Sequence, residues 1–249
     1  MTVFKNSWHI PSADMILSNN DVHLWRAKLD QSHECVKQLT QILSDEEQRK
    51  VERFHFDKDK KHFIVTRGVL RTILSHYLGV EPNCLQFGYS SHGKPYLAEK
   101  SKGEEICFNL SHSHSLSLYA FARRRQIGID IEYIRPITEA DRIVTRFFSS
   151  HEHAIWQKLP KDQKQVAFFN CWTRKEAYIK ARGEGLSLPL DQFDVSFAPG
   201  EPPALLATSG ASNESSRWLL QALQPSLGYV AALFVEGHDW RLKCWEWSS

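Results

Sequence analysis

Neither a disulfide framework nor a structural zinc site can be drawn on this sequence. Its five cysteines, Cys35, Cys84, Cys107, Cys171 and Cys244, lie far apart and none stands in a CxxC pair, which suits a reducing compartment. Long apolar runs are missing too. The longest, Tyr229 to Val235, falls well short of the roughly 20 residues that cross a bilayer. The first fifteen residues are interrupted by Lys5, Asn6, His9, Pro11 and Asp14 and lack the apolar centre of a secretory signal, so a cytoplasmic location is expected. Charge of one sign is not in excess: 31 Lys+Arg against 29 Asp+Glu gives a net +2. Nucleic acid or an anionic membrane is therefore not expected as a partner held by charge alone. There is no low-complexity tract and no charge block. What is present is 249 residues, 42% hydrophobic and 24% charged, the proportions of a globular protein with one large domain or two smaller ones.

Local signals outline an α+β chain. Ser44 followed by Glu47 has the spacing of a capping box and predicts a helix start. A second helical pattern runs through Phe63, Leu70, Ile73, Leu74, Tyr77 and Leu78 and stops at Gly79. Lys60, Arg67 and Arg71 share a stripe of that helix, which reads either as a solvated face or as a phosphate-binding one. His92 to Leu97 (HGKPYL) predicts a tight turn at Gly93 and an extended Lys94. Strands are expected at Ile106 to Leu110, Leu116 to Arg123 and Ile127 to Ile134, with Arg123 to Gln126 as the turn of a hairpin. Helices are expected over Thr138 to Phe148, with Thr138 as cap, over Ser149 to Leu159, and over Val166 to Arg182, ending at Gly183. Ala198 to Ser216, rich in Pro, Gly and Ser, predicts a long loop, and Phe193 to Phe197, Trp218 to Leu223, Tyr229 to Phe234 and Trp240 to Trp247 predict strands.

Three places have side chains suited to chemistry. In Ile127 to Glu132 (IGIDIE) the isoleucines take one strand face, and Gly128, Asp130 and Glu132 the other. The two carboxylates point the same way, close enough to share one hard cation, although any amphipathic strand alternates like this. Glu176 and Lys180 are an i,i+4 pair, which is either a surface ion pair worth a few tenths of a kcal/mol or the third carboxylate and the cation of a metal-assisted phosphate site. Ser111-His112-Ser113-His114 admits three uses: imidazole ligands to a metal together with Asp130 and Glu132, a Ser/His nucleophile, or donors to an anion. The nucleophile is the weakest, because no GxSxG elbow is present.

NLSHS at Asn109 to Ser113, IGIDIE at Ile127 to Glu132 and WTRKEAYIKARGEGLSLPL at Trp172 to Leu190 resemble, in order and separation, the motifs of the surfactin-synthetase-type 4′-phosphopantetheinyl transferases. GKPYL at Gly93 to Leu97 and the RGVLR run at Arg67 to Arg71 resemble that family's N-terminal half. The resemblance implies a pseudo-dimer of two similar α/β halves, divided here as 1–127 and 128–249, acting as a monomer. It implies transfer of 4′-phosphopantetheine from coenzyme A to the serine of an apo acyl or peptidyl carrier protein, with release of 3′,5′-ADP.

By the same resemblance Asp130, Glu132 and Glu176 ligate Mg²⁺, or Mn²⁺ in its place. Lys180, His112 and Lys94 meet the phosphates, Ser111 donates nearby, and Arg67 lies in the nucleotide pocket. Glu176, Asp130 and Lys180 are then the catalytic groups, and the carrier serine loses its proton to Glu176 or to a metal-bound water. One departure stands out: Glu46 and Glu47 occupy positions where relatives often carry basic residues for the 3′-phosphate, which leaves Lys50 as the candidate. Carrier docking is expected along Phe147 to Lys164. Two rival readings are a metal-dependent phosphoester hydrolase built on His112, His114, Asp130 and Glu132, and a non-catalytic binder of coenzyme A or carrier protein.

Overall fold

The computed structural model describes residues 7–12, 15–98, 106–208 and 213–249. Two sheets lie face to face with helices on their outer sides. The first sheet contains β1 (Asp21–Lys28), β4 (Ile106–Ser113), β5 (Leu116–Arg123) and β11 (Arg241–Glu246), in the order β11-β1-β5-β4. The second contains β6 (Ile127–Tyr133), β9 (Trp218–Leu223) and β10 (Tyr229–Glu236), in the order β6-β10-β9. Val22, Leu24, Leu118 and Ala120 of the first sheet interlock with Ile127, Ile129, Ile131 and Leu233 of the second. Their burial supplies the central core. The outer face of the first sheet is covered by α1 (His33–Gln41) and α3 (Asp57–Leu78), and that of the second by α6 (Lys161–Arg182). No helix among the described residues is long and apolar enough to cross a membrane.

The halves repeat one device. In α2 (Asp45–Glu52) and α5 (Ser150–Lys158) the N-cap serine and the glutamate three residues on form complete capping boxes, Ser44 with Glu47 and Ser149 with Glu152. Each glutamate is also the buried anion for a cation on the long helix. Glu47 takes Arg67 at 2.8 Å and Arg71 at 2.6 Å, and Glu152 takes Lys175 at 2.7 Å. Arg71 also donates to the carbonyls of Pro82 and Leu85, and Lys175 to those of Leu190 and Phe193, tying each long helix to the turn after it. Both helices then end on a left-handed glycine, Gly79 and Gly183.

Burial alone would raise the Glu47 pKa, but the charge of Arg67, the hydrogen bond from Arg71 and the Ser44 N–H hold it below the usual carboxylate range. A depressed folded pKa gives stability that is present above the unfolded value, near ~4.3, and is lost as pH falls through the folded one. Glu47→Gln leaves two buried guanidinium groups facing a neutral amide. It should cost about 3 to 5 kcal/mol and flatten the acid limb of the stability profile, read by urea titration at several pH values.

Four expectations change. The Arg123–Gln126 link is no hairpin turn: β5 pairs with β1 and β4, whereas β6 pairs with β10. The link carries the chain from one sheet to the other, with Arg124 at φ 54. The proposed boundary at 127/128 falls at the first residue of β6, and β11, from the C-terminal half, returns to pair parallel with β1. Within 198–216 the structure places β8 (Leu205–Thr208) and α7 (Glu214–Arg217), with 209–212 outside the described residues. Helix α4 (Ala140–Phe147) starts after Glu139 with no side-chain cap, and Asp141 accepts from Trp156 Nε1 instead. Helix α6 starts at Lys161, a turn earlier than its apolar pattern indicates.

Candidate active site

Strand β6 is the edge of its sheet, and its free side faces the edge strand β4 of the other half. Side chains join the two edges. Asn109 Oδ1 accepts from Ile129 N–H at 2.9 Å, Ser111 Oγ donates to Asp130 Oδ1 at 2.8 Å, and Ser113 Oγ donates to Glu132 Oε2 at 2.8 Å. Asn109, Ser111 and Ser113 alternate along β4, so all three point at β6. On the outer face of β6, helix α6 lies in backbone contact: a Cβ added at Gly128 would stand 2.1 Å from Ala177 O and 2.3 Å from Ala181 N. That approach brings Glu176 and Lys180, one turn apart on α6, over Asp130 and Glu132.

The resulting cavity, of about 360 Å³, is lined by Leu110, Ser111, His112, Asp130, Ile131, Glu132, Trp172, Glu176 and Lys180. Lys180 Nζ sits 2.6 Å from Asp130 Oδ1 and 3.1 Å from Ser111 Oγ. Asp130 Oδ2 is buried without a partner. Loss of water raises the pKa of Asp130, against the opposing charge of Lys180. Glu176 is raised too, by desolvation first and then by the negative charge of Asp130. His112 is exposed. Desolvation by its surroundings, and then the charges of His62 and Lys180, lower its pKa, so the neutral ring predominates at pH 7.

Six residues singled out from the sequence thus meet here: Ser111, His112, Asp130, Glu132, Glu176 and Lys180. Arg67 lies elsewhere. It is buried, donates to Glu47 and to Tyr89 Oη at 2.6 Å, and lies over the Phe87 ring; with Arg71 it belongs to the buried ion cluster, so these two arginines do not form a solvated face. Lys94 donates to two carbonyls outside the cavity lining, and Lys50 is exposed with its ammonium 5.3 Å from the centre of the Phe63 ring. His114 turns away at φ 54 and stacks on Tyr133, ring centroids 4.9 Å apart. The ligand set that a hydrolase would draw from His112, His114, Asp130 and Glu132 is therefore not assembled. In the expected docking segment Phe148 and Trp156 are core, while Phe147 is half-buried against Trp172.

Sequence reasoning singled out neither Trp172, which lines the cavity, nor Arg135, which pairs with Glu132. Arg135 Nη1 lies 3.1 Å from Glu132 Oε2, the oxygen that Ser113 also holds.

Comparison with known proteins gives the arrangement its context. A model of the 4′-phosphopantetheinyl transferase superfamily matches residues 126–234, and one of the 4′-phosphopantetheinyl transferase N-terminal region matches residues 25–123. The 4′-phosphopantetheinyl transferase HetI of Nostoc sp. is 40% identical over 98% of this chain and 100% of its own length. This chain belongs to the 4′-phosphopantetheinyl transferase family. A putative 4′-phosphopantetheinyl transferase of Synechocystis sp. is 32% identical over 75% of this chain and 73% of its own. Sfp of Bacillus subtilis is 32% identical over 66% and 70%. The two matched regions of this transferase meet at the link between β5 and β6, where the chain changes sheets.

Proposed function

We propose that this transferase moves 4′-phosphopantetheine from coenzyme A to the serine hydroxyl of an apo acyl or peptidyl carrier protein, releasing 3′,5′-ADP, in the cavity between β4, β6 and α6. The observation that carries this reading is that Asp130, whose Oδ2 is buried and partnerless, lines one cavity with Glu132, Glu176 and Lys180. An all-oxygen donor set of this kind suits a hard divalent cation such as Mg²⁺, or Mn²⁺ in its place. Among the described residues no three such groups are already gathered about one point, so holding the ion takes side-chain adjustment. Asp130 would hold it through Oδ2, with Glu132 and Glu176. When bound, the ion supplies charge neutralisation on the phosphates.

The remaining steps belong to the chain. Lys180 sits at Asp130 as an internal counter-ion, with 29% of its side chain exposed, and is free to turn from that carboxylate to a phosphate oxygen. His112, neutral and lining the cavity, donates one hydrogen bond to the same group. Ser111 keeps Asp130 oriented. Glu176, whose carboxylate is destabilised by its surroundings, takes the proton of the carrier serine as the serine oxygen bonds to phosphorus and the pyrophosphate link breaks. No covalent enzyme intermediate is formed. The 3′-phosphate is assigned to Lys50, whose exposed ammonium is held by no carboxylate among the described residues. Because both halves of the site come from one polypeptide, a single chain suffices as a monomer; the cytoplasmic location is inferred from five scattered, free cysteines.

Chelation tests the metal assignment. EDTA should abolish carrier modification with the circular dichroism spectrum unchanged, and Mg²⁺ or Mn²⁺ should restore it. Full turnover in chelator contradicts the assignment.

A further inference from the structure

Lys94 is turned away from the cavity that the family resemblance assigns it to. Its ammonium donates to the carbonyl of Ile127 at 3.1 Å and to that of Ala181 at 3.3 Å. The first opens β6, which carries Asp130 and Glu132; the second lies in the last turn of α6, which carries Glu176 and Lys180. These are the levels at which strand and helix touch across Gly128. Carbonyls at the end of a helix lack intrahelical donors, and a lysine ammonium satisfies them well. Desolvation lowers the Lys94 pKa to about 8, so the group is still an ammonium at neutral pH.

The hairpin of β2 (Phe87–Tyr89) and β3 (Pro95–Leu97) that presents Lys94 is pinned at its tip. Ser90 Oγ accepts from the N–H groups of His92 and Lys94, at 3.3 and 3.1 Å, and Gly93, at φ 80, donates to Ser90 O. A second contact lies beside the first. The His92 ring stands 3.2 Å from Ser187 Oγ, and a Cβ on Gly185 would come within 3.0 Å of His92 Cβ. The tip belongs to the half that supplies Ser111 and His112.

We infer that Lys94 is a positioning residue, a latch that seats the first half on the ends of β6 and α6 and so sets Ser111 and His112 against Asp130 and Lys180. Binding a phosphate in the cavity would require it to abandon both carbonyls. This assignment rests on the transfer reading above for its effect on turnover.

The test compares the full chain with Lys94→Met and Lys94→Arg, using coenzyme A and an apo carrier protein. Misregistration of the halves in Lys94→Met should lower kcat about 10- to 100-fold. KM for coenzyme A should stay within about twofold. Lys94→Arg, which can reach both carbonyls, should recover most of the lost turnover. Amide hydrogen exchange should accelerate at 178–187 in Lys94→Met and keep its wild-type rate in α3. A rise of about tenfold or more in KM with kcat retained would reassign Lys94 to a phosphate, and unchanged exchange would overturn the latch. If the unaltered chain modified no carrier, the transfer reading would fail by itself, because the exchange comparison decides the latch without turnover.

Discussion

Asp130→Asn is expected to lower carrier modification about 10³-fold or more while leaving thermal stability equal to the wild type or above it. The loss follows from geometry. Asp130 is the residue on which Lys180, Ser111 and the unpartnered Oδ2 converge, and a neutral amide there removes both a cation ligand and the counter-ion of the phosphate-binding lysine. The stability sign follows from linkage. Burial raises the folded pKa of Asp130 above its unfolded value, so the native state binds protons more tightly and loses stability as pH rises from the unfolded pKa through the folded one. At neutral pH the ionised carboxylate is therefore a liability, and Lys180, partly open to solvent, can rehydrate when its partner is neutralised. A site that trades stability for function behaves in this way. Thermal unfolding of both proteins without divalent cations, beside turnover, checks the pair of signs; a clear drop in the Asp130→Asn midpoint would contradict the electrostatic account.

Gly128→Ala should be nearly as damaging for a different reason. Its Cβ would stand 2.1 Å from Ala177 O and 2.3 Å from Ala181 N, both of them backbone atoms that a rotamer change cannot move. Helix α6 must lift from β6, at a cost of about 3 kcal/mol, and the displacement separates Glu176 and Lys180 from Asp130. Both the denaturation midpoint and kcat are expected to fall, in contrast to the split expected for Asp130→Asn. A variant of unaltered stability and turnover would show that strand and helix are not in contact as described.

Much of this arrangement was legible where local chemistry decides the outcome. The capping boxes at Ser44 and Ser149, the helix ends at Gly79 and Gly183 and the alternation of Ile127 to Glu132 each act within a few residues, and each matches the structure. Strand β1 was invisible because it is buried on both faces: His23 and Trp25 are covered as fully as Val22 and Leu24, which erases the polar alternation of a half-exposed strand. The hairpin at Arg123 to Gln126 failed because a polar turn does not specify whether the next strand pairs with the last or joins a facing sheet. The burial of Arg67 and Arg71 was not legible because helical periodicity identifies a common stripe and not its cover; the capping-box glutamate that pairs with them lies on another helix. The Pro, Gly and Ser content near residue 200 similarly hid Glu214, which binds Tyr178, Arg182 and Trp218.

The repeat also explains why, among the described residues, the first half has no counterpart of the carboxylate site. The positions on α3 that correspond to Glu176 and Lys180, counted from the terminal glycines, are Thr72 and His76. The outer edge of β1, the counterpart of β6, is closed by β11. Among the described residues, the edge between β4 and β6 is where polar side chains of the first half meet the acidic set of the second.

Intact-mass spectrometry of apo carrier proteins incubated with this chain, coenzyme A and Mg²⁺ tests the central claim most directly. The predicted result is a gain of one phosphopantetheine on the carrier serine, with stoichiometric 3′,5′-ADP, lost on chelation and with Asp130→Asn. Breakdown of coenzyme A with the carriers left unmodified would contradict it.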